Sequence, residues 1–168
     1  LSDIAGLIYI GAAFPQFPES DRWLLFGIQE LESEMNREVY PDGGSHEGST
    51  SYHRLVTELF ISCASIIERV SQERLERLYD VVPTSHKVSP KLNAPNKILG
   101  TIIENNTILP KCFYTRLYRM VNFTRMLTKP NGLIAQFGDN DSARVTKLAR
   151  NSRIDSRDHR HIISSAGI

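Results

Sequence analysis

A chain of 168 residues, 40% of them hydrophobic and 23% charged, has the length and apolar content for one ordinary domain with its own core. A net charge of +1 gives no global electrostatic case for nucleic acid or for an acidic partner. No apolar run approaches the length of a membrane span, and the apolar opening Leu1 to Phe14 does not read as a signal peptide, since Asp3 interrupts it and no basic residues precede it.

The chain opens with Leu and enters helix-like sequence at once, so the expectation is a piece of a longer protein. A first helix is predicted from about Ser2 to Ala13, stopping before Pro15 and Pro18. A second starts after Ser20, a suitable N-cap, with Trp23, Leu24, Ile28, Leu31 and Met35 on one face. It ends near Tyr40, where Pro41-Asp42-Gly43-Gly44 signals a turn. In the third, Leu55, Val56, Leu59, Phe60, Cys63, Ile66, Ile67 and Val70 form a continuous apolar stripe, followed by a charged tail through Arg77.

Segment 81–110 carries four prolines and little periodicity, and reads as a long irregular connection. A fourth helix runs from about Cys112 to Thr128, with Phe113, Leu117, Met120, Val121, Thr124 and Leu127 inward, and Lys129-Pro130-Asn131-Gly132 stops it. Leu133 to Phe137 reads as a short strand or extended segment, before a polar turn and then a basic helix. No residue period repeats. The fold class is therefore all-α, with amphipathic helices paired as hairpins in a bundle or an α/α toroid, and the whole chain reads as a single domain.

Charge is uneven. Residues 19–38 are acidic and 144–160 basic, a pattern that usually marks solvated helix faces. Cys63 and Cys112 each lie in an apolar stripe and read as buried thiols, with no metal or redox spacing.

Two polar clusters interrupt the helical pattern. The first, Asp42 to Arg54, supplies glycines and small hydroxyls for a tight turn at the entry of the third helix, with Glu47, Tyr52, His53 and Arg54 among its side chains. Such an entry favours anions, and Tyr, His and Arg there can form a polar floor for an anionic ligand. The plainer reading is an N-capping loop whose Tyr52 packs against a neighbouring helix. The second cluster, Gly138 to Arg144, has Asp139, Asn140 and Asp141 to bind a cation, hold sugar hydroxyls or cap a helix, and it lacks the Gly and Glu of a calcium loop.

No metal site is expected. His159 and His161 are two apart, on opposite faces of a helix, without a supporting ligand. No P-loop, dinucleotide fingerprint or nucleophile elbow occurs, and no cofactor is expected. Sequons at Asn105, Asn122 and Asn140 are weak signs of glycosylation.

Four stretches in order carry a resemblance. Asp3-Ile4-Ala5-Gly6-Leu7 with Gly11 and Phe14-Pro15 is the first. Pro41-Asp42-Gly43-Gly44, then Glu47-x-Ser49-x-x-Tyr52-His53-Arg54 and Glu58-Leu59-Phe60, is the second. Thr128 to Gly132 with Gln136 and Gly138 to Ser142 is the third, and Asp158-His159-Arg160-His161 the fourth. Together they resemble the helical toroid domain of the heparinase II/III-like family, which includes alginate, oligoalginate and heparin or heparan lyases.

The resemblance implies an enzyme, a lyase that cleaves uronic-acid polysaccharide by β-elimination, with an anionic polysaccharide or oligosaccharide as partner and a periplasmic or extracytoplasmic setting. It implies Tyr52 as Brønsted acid and, in many members, also as base. A phenol is a weak acid, so positive neighbours must favour its ionisation, and His53 and Arg54 are the local candidates. Glu47, Arg54, Asp139, Asn140 and Asp141 would bind substrate.

The family's carboxylate-neutralising Asn-His pair would fall just before Asp3 and its β-sandwich beyond Ile168, so the expectation is a fragment of the toroid that is inactive alone. Two other readings stay open. One is a toroid that binds anionic polysaccharide without catalysis, in surface-polymer metabolism. The other is a glycoside hydrolase using Glu47 or Asp42 with Asp139.

Overall fold

A computed structural model of the protein describes residues 1–81, 108–142, 144–145 and 155–166. Among them are six helices and no named strand: α1 (Ser2–Ala13), α2 (Ser20–Glu38), α3 (Thr50–Ile67), α4 (Gln72–Tyr79), α5 (Lys111–Leu127) and α6 (Arg160–Ser165). The described protein is all-α. Nearly all of the expected 81–110 connection, including Asn105, and most of the expected basic helix lie outside the described residues. No helix among the described residues is long and apolar enough to cross a membrane.

These residues pack as two compact units, the first formed by residues 1–34 and 62–111, the second by 35–61 and 112–168. In the first, α1 buries Ala5, Ile8 and Gly11. A Cβ on Gly11 would stand 2.9 Å from both Leu24 N and Ser20 O, so α1 and α2 approach with backbone against backbone. Leu24, Leu25, Ile28, Leu31, Leu75 and Leu78 complete an aliphatic core.

The C-terminal carbonyls of α1 would lack partners, as at any helix end. Arg74 supplies them. Its Nη1 donates to Ala12 O at 3.2 Å and its Nη2 to Gly11 O, while Nε donates to Asp21 at 2.8 Å.

The third predicted helix is in fact two. After Ile67 the backbone closes through short turns, Arg69 N to Ile66 O and Val70 N to Ile67 O, both at 3.1 Å. Ser71 then takes an extended conformation and accepts from Arg74 N at 3.3 Å, capping a new helix. The charged tail is therefore α4. Cys63 is buried as expected, but Cys112 is exposed, because the second position of α5 faces away from the side that buries Phe113.

In the second unit, Phe60 and Phe113 meet edge to face, with centroids 5.8 Å apart. The turn after α2 is a tight hairpin. Tyr40 N donates to Gly44 O at 2.8 Å and His46 N to Glu38 O at 2.9 Å. Its tip rests on α5, where Arg116 donates to Val39 O and Arg119 to Pro41 O at 2.8 Å. A matching turn follows α5, with Lys129 N donating to Leu133 O at 2.9 Å. Leu133 to Phe137 is an extended segment with one isolated bridge, Thr128 to Ile134.

Gly43 is required by both conformation and space. Its φ is 98°, and an added Cβ would fall 2.3 Å from the backbone of Arg119. Gly43→Ala is expected to cost roughly 2–4 kcal/mol in urea unfolding. Gly48→Ala, at φ 65° with nothing within 4 Å, is expected to cost only about 1 kcal/mol.

Candidate active site

The two polar clusters meet in the second unit. The first turn of α3 presents backbone N–H groups that no helix carbonyl can satisfy, and the 136–141 loop supplies acceptors. Thr50 N donates to Phe137 O at 3.2 Å. Ser49 Oγ accepts from Tyr52 N at 3.3 Å and donates to Asp139 O at 2.6 Å. Ser51 Oγ donates to Asn140 Oδ1 at 2.9 Å. Gln136 Nε2 holds the loop from within, reaching the carbonyls of Phe137, Gly138 and Asp139 at 3.1 to 3.3 Å. Gly138, at φ 68°, lets the two strands of chain touch: a Cβ there would lie 2.6 Å from Gly48 O and 2.8 Å from Ser49 Cα.

Tyr52 stands in this first turn, half-buried, and its phenol oxygen has no hydrogen-bond partner among the described residues. Glu47, Asp139, Asn140 and Asp141 are exposed. The loop is held by the backbone carbonyls of Asp139 and Asp141 and by the Asn140 amide oxygen, which leaves the Asp139 carboxylate facing solvent.

The resemblance made His53 and Arg54 the positive neighbours of the phenol, and Arg54 also a substrate ligand, whereas the structure withdraws both behind the surface. His53 is 2% exposed. Its Nε2 lies 3.1 Å from Met120 O and 3.2 Å from Thr124 Oγ1, and its ring lies 4.9 Å from that of Phe123. A carbonyl acceptor requires the proton on Nε2, and Nδ1 has no partner among the described residues. Burial holds its pKa down to about 4, against smaller upward pulls from the Met120 carbonyl and Asp42.

Arg54 is 0% exposed. It donates to Ser156 O at 2.8 Å and to Asp141 O at 2.9 Å, and its Nε lies 3.8 Å from Glu58. It ties the 136–141 loop to α3 from beneath, with its side chain fully buried.

Glu58, four residues on and so on the same side of the helix, completes the anchor. It accepts from Val145 N at 2.8 Å and contacts His161 Nε2 at 2.6 Å. Burial alone would raise its pKa; hydrogen bonds from His161 and Val145 and the charge of Arg54 outweigh this and hold the carboxyl below its ordinary value. His159 turns its Nε2 to Ser156 O at 3.0 Å and is likewise held to about 4, first by burial and then by Arg54. His159 and His161 therefore serve separate protein partners.

Sequence reading did not single out Glu58, Ser51 or His161 as site residues. Glu58 and His161 stand in the stretches that carry the family resemblance, and the four-residue spacing from Arg54 to Glu58 was a further local signal. Glu38, His46 and Glu47 bring three possible metal-ligating atoms within 4.8 Å of one another, and a 3.0 Å contact from His46 Nδ1 to Glu38 accounts for part of that closeness.

The family described as Heparinase II/III N-terminus matches residues 1–87, just over half of the chain, including the whole Asp42 to Arg54 cluster. The chain belongs to the heparinase II/III family. It is 34% identical over 67 residues to a heparin-sulfate lyase of Pedobacter heparinus, covering 40% of this chain and 10% of that protein. It is 37% identical over 62 residues to a heparin-sulfate lyase of Bacteroides stercoris, covering 37% of this chain and 9% of that protein. The chain thus spans about a tenth of the length of the curated relatives it matches. No solved structure matches it significantly.

Two outcomes are expected for this heparinase II/III chain. Gly138→Ala separates the loop from the helix entry, so amide hydrogen exchange of Thr50 and Tyr52 should accelerate at least about tenfold while α1 and α4 keep their protection. For pH, His53 and His159 have folded pKa values below the ordinary histidine value. The unfolded chain therefore binds more protons between about pH 6.5 and pH 4, and stability falls as pH drops through that window. His53, the more buried, should account for on the order of 3 kcal/mol of this loss. Urea unfolding of wild type and His53→Gln across the window measures it, and a flat wild-type profile would contradict the burial of both rings.

Proposed function

We propose that the chain is part of a polysaccharide lyase that cleaves uronic-acid-containing polysaccharide by β-elimination, with Tyr52 transferring the proton. The observation that carries this is a phenol without a hydrogen-bond partner among the described residues at the entry of α3, where Ser49, Thr50, Ser51 and Arg54 fasten loop to helix.

In β-elimination the C5–H bond breaks, its electron pair forms the C4=C5 double bond, and the C4–O bond to the leaving sugar breaks. A group must take the C5 proton and a group must deliver one to the departing oxygen. A phenol can deliver that proton and, as phenolate, take one. The uronate carboxylate must also be neutralised. Residues outside these 168, an Asn-His pair by the family resemblance, would supply that. Asp139, Asn140 and Glu47 would meet sugar hydroxyls, since their acceptors suit hydroxyl donors and repel carboxylates. His53 and Arg54 are positioning residues in this reading: one fixes α3 to α5, the other holds the substrate-side loop.

The relatives named as heparin-sulfate lyases support an acidic, uronate-containing polymer as the substrate class. An α/α toroid would hold the chain as part of its ring of helical hairpins.

Tyr52→Phe, made in the whole protein that carries this chain, should lower formation of the unsaturated uronate product by roughly 10²- to 10⁴-fold, with unchanged circular dichroism. The ultraviolet absorbance of the new double bond is the readout. If the unmutated protein forms no such product from any uronate polymer, the reading fails; products without that absorbance would indicate hydrolysis instead.

A further inference from the structure

The first unit contains a cavity of about 690 Å³ that the proposed chemistry does not use. It is formed by the C-terminal end of α1, the last turn of α3 and α4, and its volume lies in the range of small-ligand sites. Tyr52 is in the first turn of α3, whereas Ile66, which lines this cavity, is in the last. Ala12, Ala13, Pro15 and Val70 give apolar walls.

Its charge is one-sided. Arg69, Arg74 and Arg77 line it, and no carboxylate does among the described residues. Two carboxylates stand nearby for these three guanidinium groups. Asp21 is shared, its Oδ1 at 2.8 Å from Arg74 and its Oδ2 at 3.4 Å from Arg77. Glu73 reaches Arg77 at 3.3 Å, but it is 85% exposed and neutralises little.

Arg74 is consumed in capping α1. Arg77 is half-exposed, and Arg69 is exposed with no partner among the described residues. Ser71 Oγ accepts from Arg74 N, which leaves its hydroxyl proton free to donate. Tyr9 donates to Ser62 at 2.8 Å, and its oxygen can still accept. Burial pushes the Tyr9 phenol up, so it stays a neutral hydrogen-bonding group.

We propose that this cavity is a second saccharide site, which takes one carboxylate- or sulfate-bearing sugar unit with its acid group on Arg69 and Arg77 and its C–H face on Pro15 and Val70. The choice of a sugar rests on the lyase reading; the choice of an anion rests on the cavity alone. The arrangement suits a pyranose acid: guanidinium donors at one end, one donor and one acceptor for hydroxyls, and an apolar wall for the ring. Such a site would give an acidic polymer a second contact with the protein.

The test uses the whole protein that carries this chain, with Tyr52→Phe so that a bound saccharide is not consumed, and follows amide shifts on titration with a hyaluronan tetrasaccharide, a heparan-sulfate tetrasaccharide and neutral cellotetraose. The two acidic probes should shift the amides of Ala12, Ala13, Val70 and Ser71, and the neutral probe should not. Arg69→Ser with Arg77→Ser should weaken that binding roughly tenfold or more and flatten its dependence on salt. Ala13→Trp should block it with all three arginines in place, which separates lost recognition from lost folding.

Hyaluronan binding alone would assign the site to carboxylate, heparan-sulfate binding alone to sulfate, and either supports it. Shifts that survive both variants, equal shifts with cellotetraose, or no shift with either acidic probe would overturn it. None of these outcomes depends on unsaturated product, so failure here and failure of the lyase reading are told apart.

Discussion

A helix that begins beneath a loop must find acceptors for its first N–H groups, and in this chain one loop meets that need and is itself fixed by doing so. The residues that dock there, Ser49, Thr50 and Ser51, are small hydroxyls on three consecutive positions, and each engages a different atom of the 136–141 loop. The bonds are individually modest, about 1 kcal/mol each. Their effect is geometric: they hold Tyr52, the next residue, at a defined height above the loop. Gly48 and Gly138 are the backbone conditions for that approach, one by turning the chain into the helix, the other by leaving room for the Ser49 backbone.

Beneath this junction lies the buried pair of Arg54 and Glu58. A pair of charges taken out of water is not a cheap source of stability, because the desolvation of each ion opposes their attraction. What the pair provides is direction. A guanidinium has donors in fixed positions, and Arg54 spends two of them on the carbonyls of Ser156 and Asp141, two segments with no regular structure to hold them. Glu58 does the same as an acceptor for Val145 and His161. Loops that would otherwise wander are thus referred to the axis of α3, the helix that carries Tyr52.

The helices were readable because their signals are local. Apolar spacing and a proline or glycine stop placed α1, α2 and α5 to within a few residues. The break at Val70 to Ser71 was not readable from the apolar stripe, which continues into it; the serine cap that divides α3 from α4 was legible only as a single residue type. The meeting of the two polar clusters was beyond local signals, since the bonded residues are 87 to 90 positions apart. Order along the chain hinted at it only through family resemblance.

The fate of His53 and Arg54 shows where residue type misleads. Both are polar and adjacent to a tyrosine at a helix entry, and on type alone they belong to the same surface. Successive helical residues point about 100° apart, however, so three neighbours cannot share one surface. His53 is turned toward α5, where the Met120 carbonyl fixes its tautomer, and Arg54 is turned down to the loop backbone. In the proposed lyase the proton chemistry would then rest on the phenol and on a cation other than these two side chains. A buried neutral imidazole cannot stabilise a phenolate by charge, but it can hold the helix that positions one.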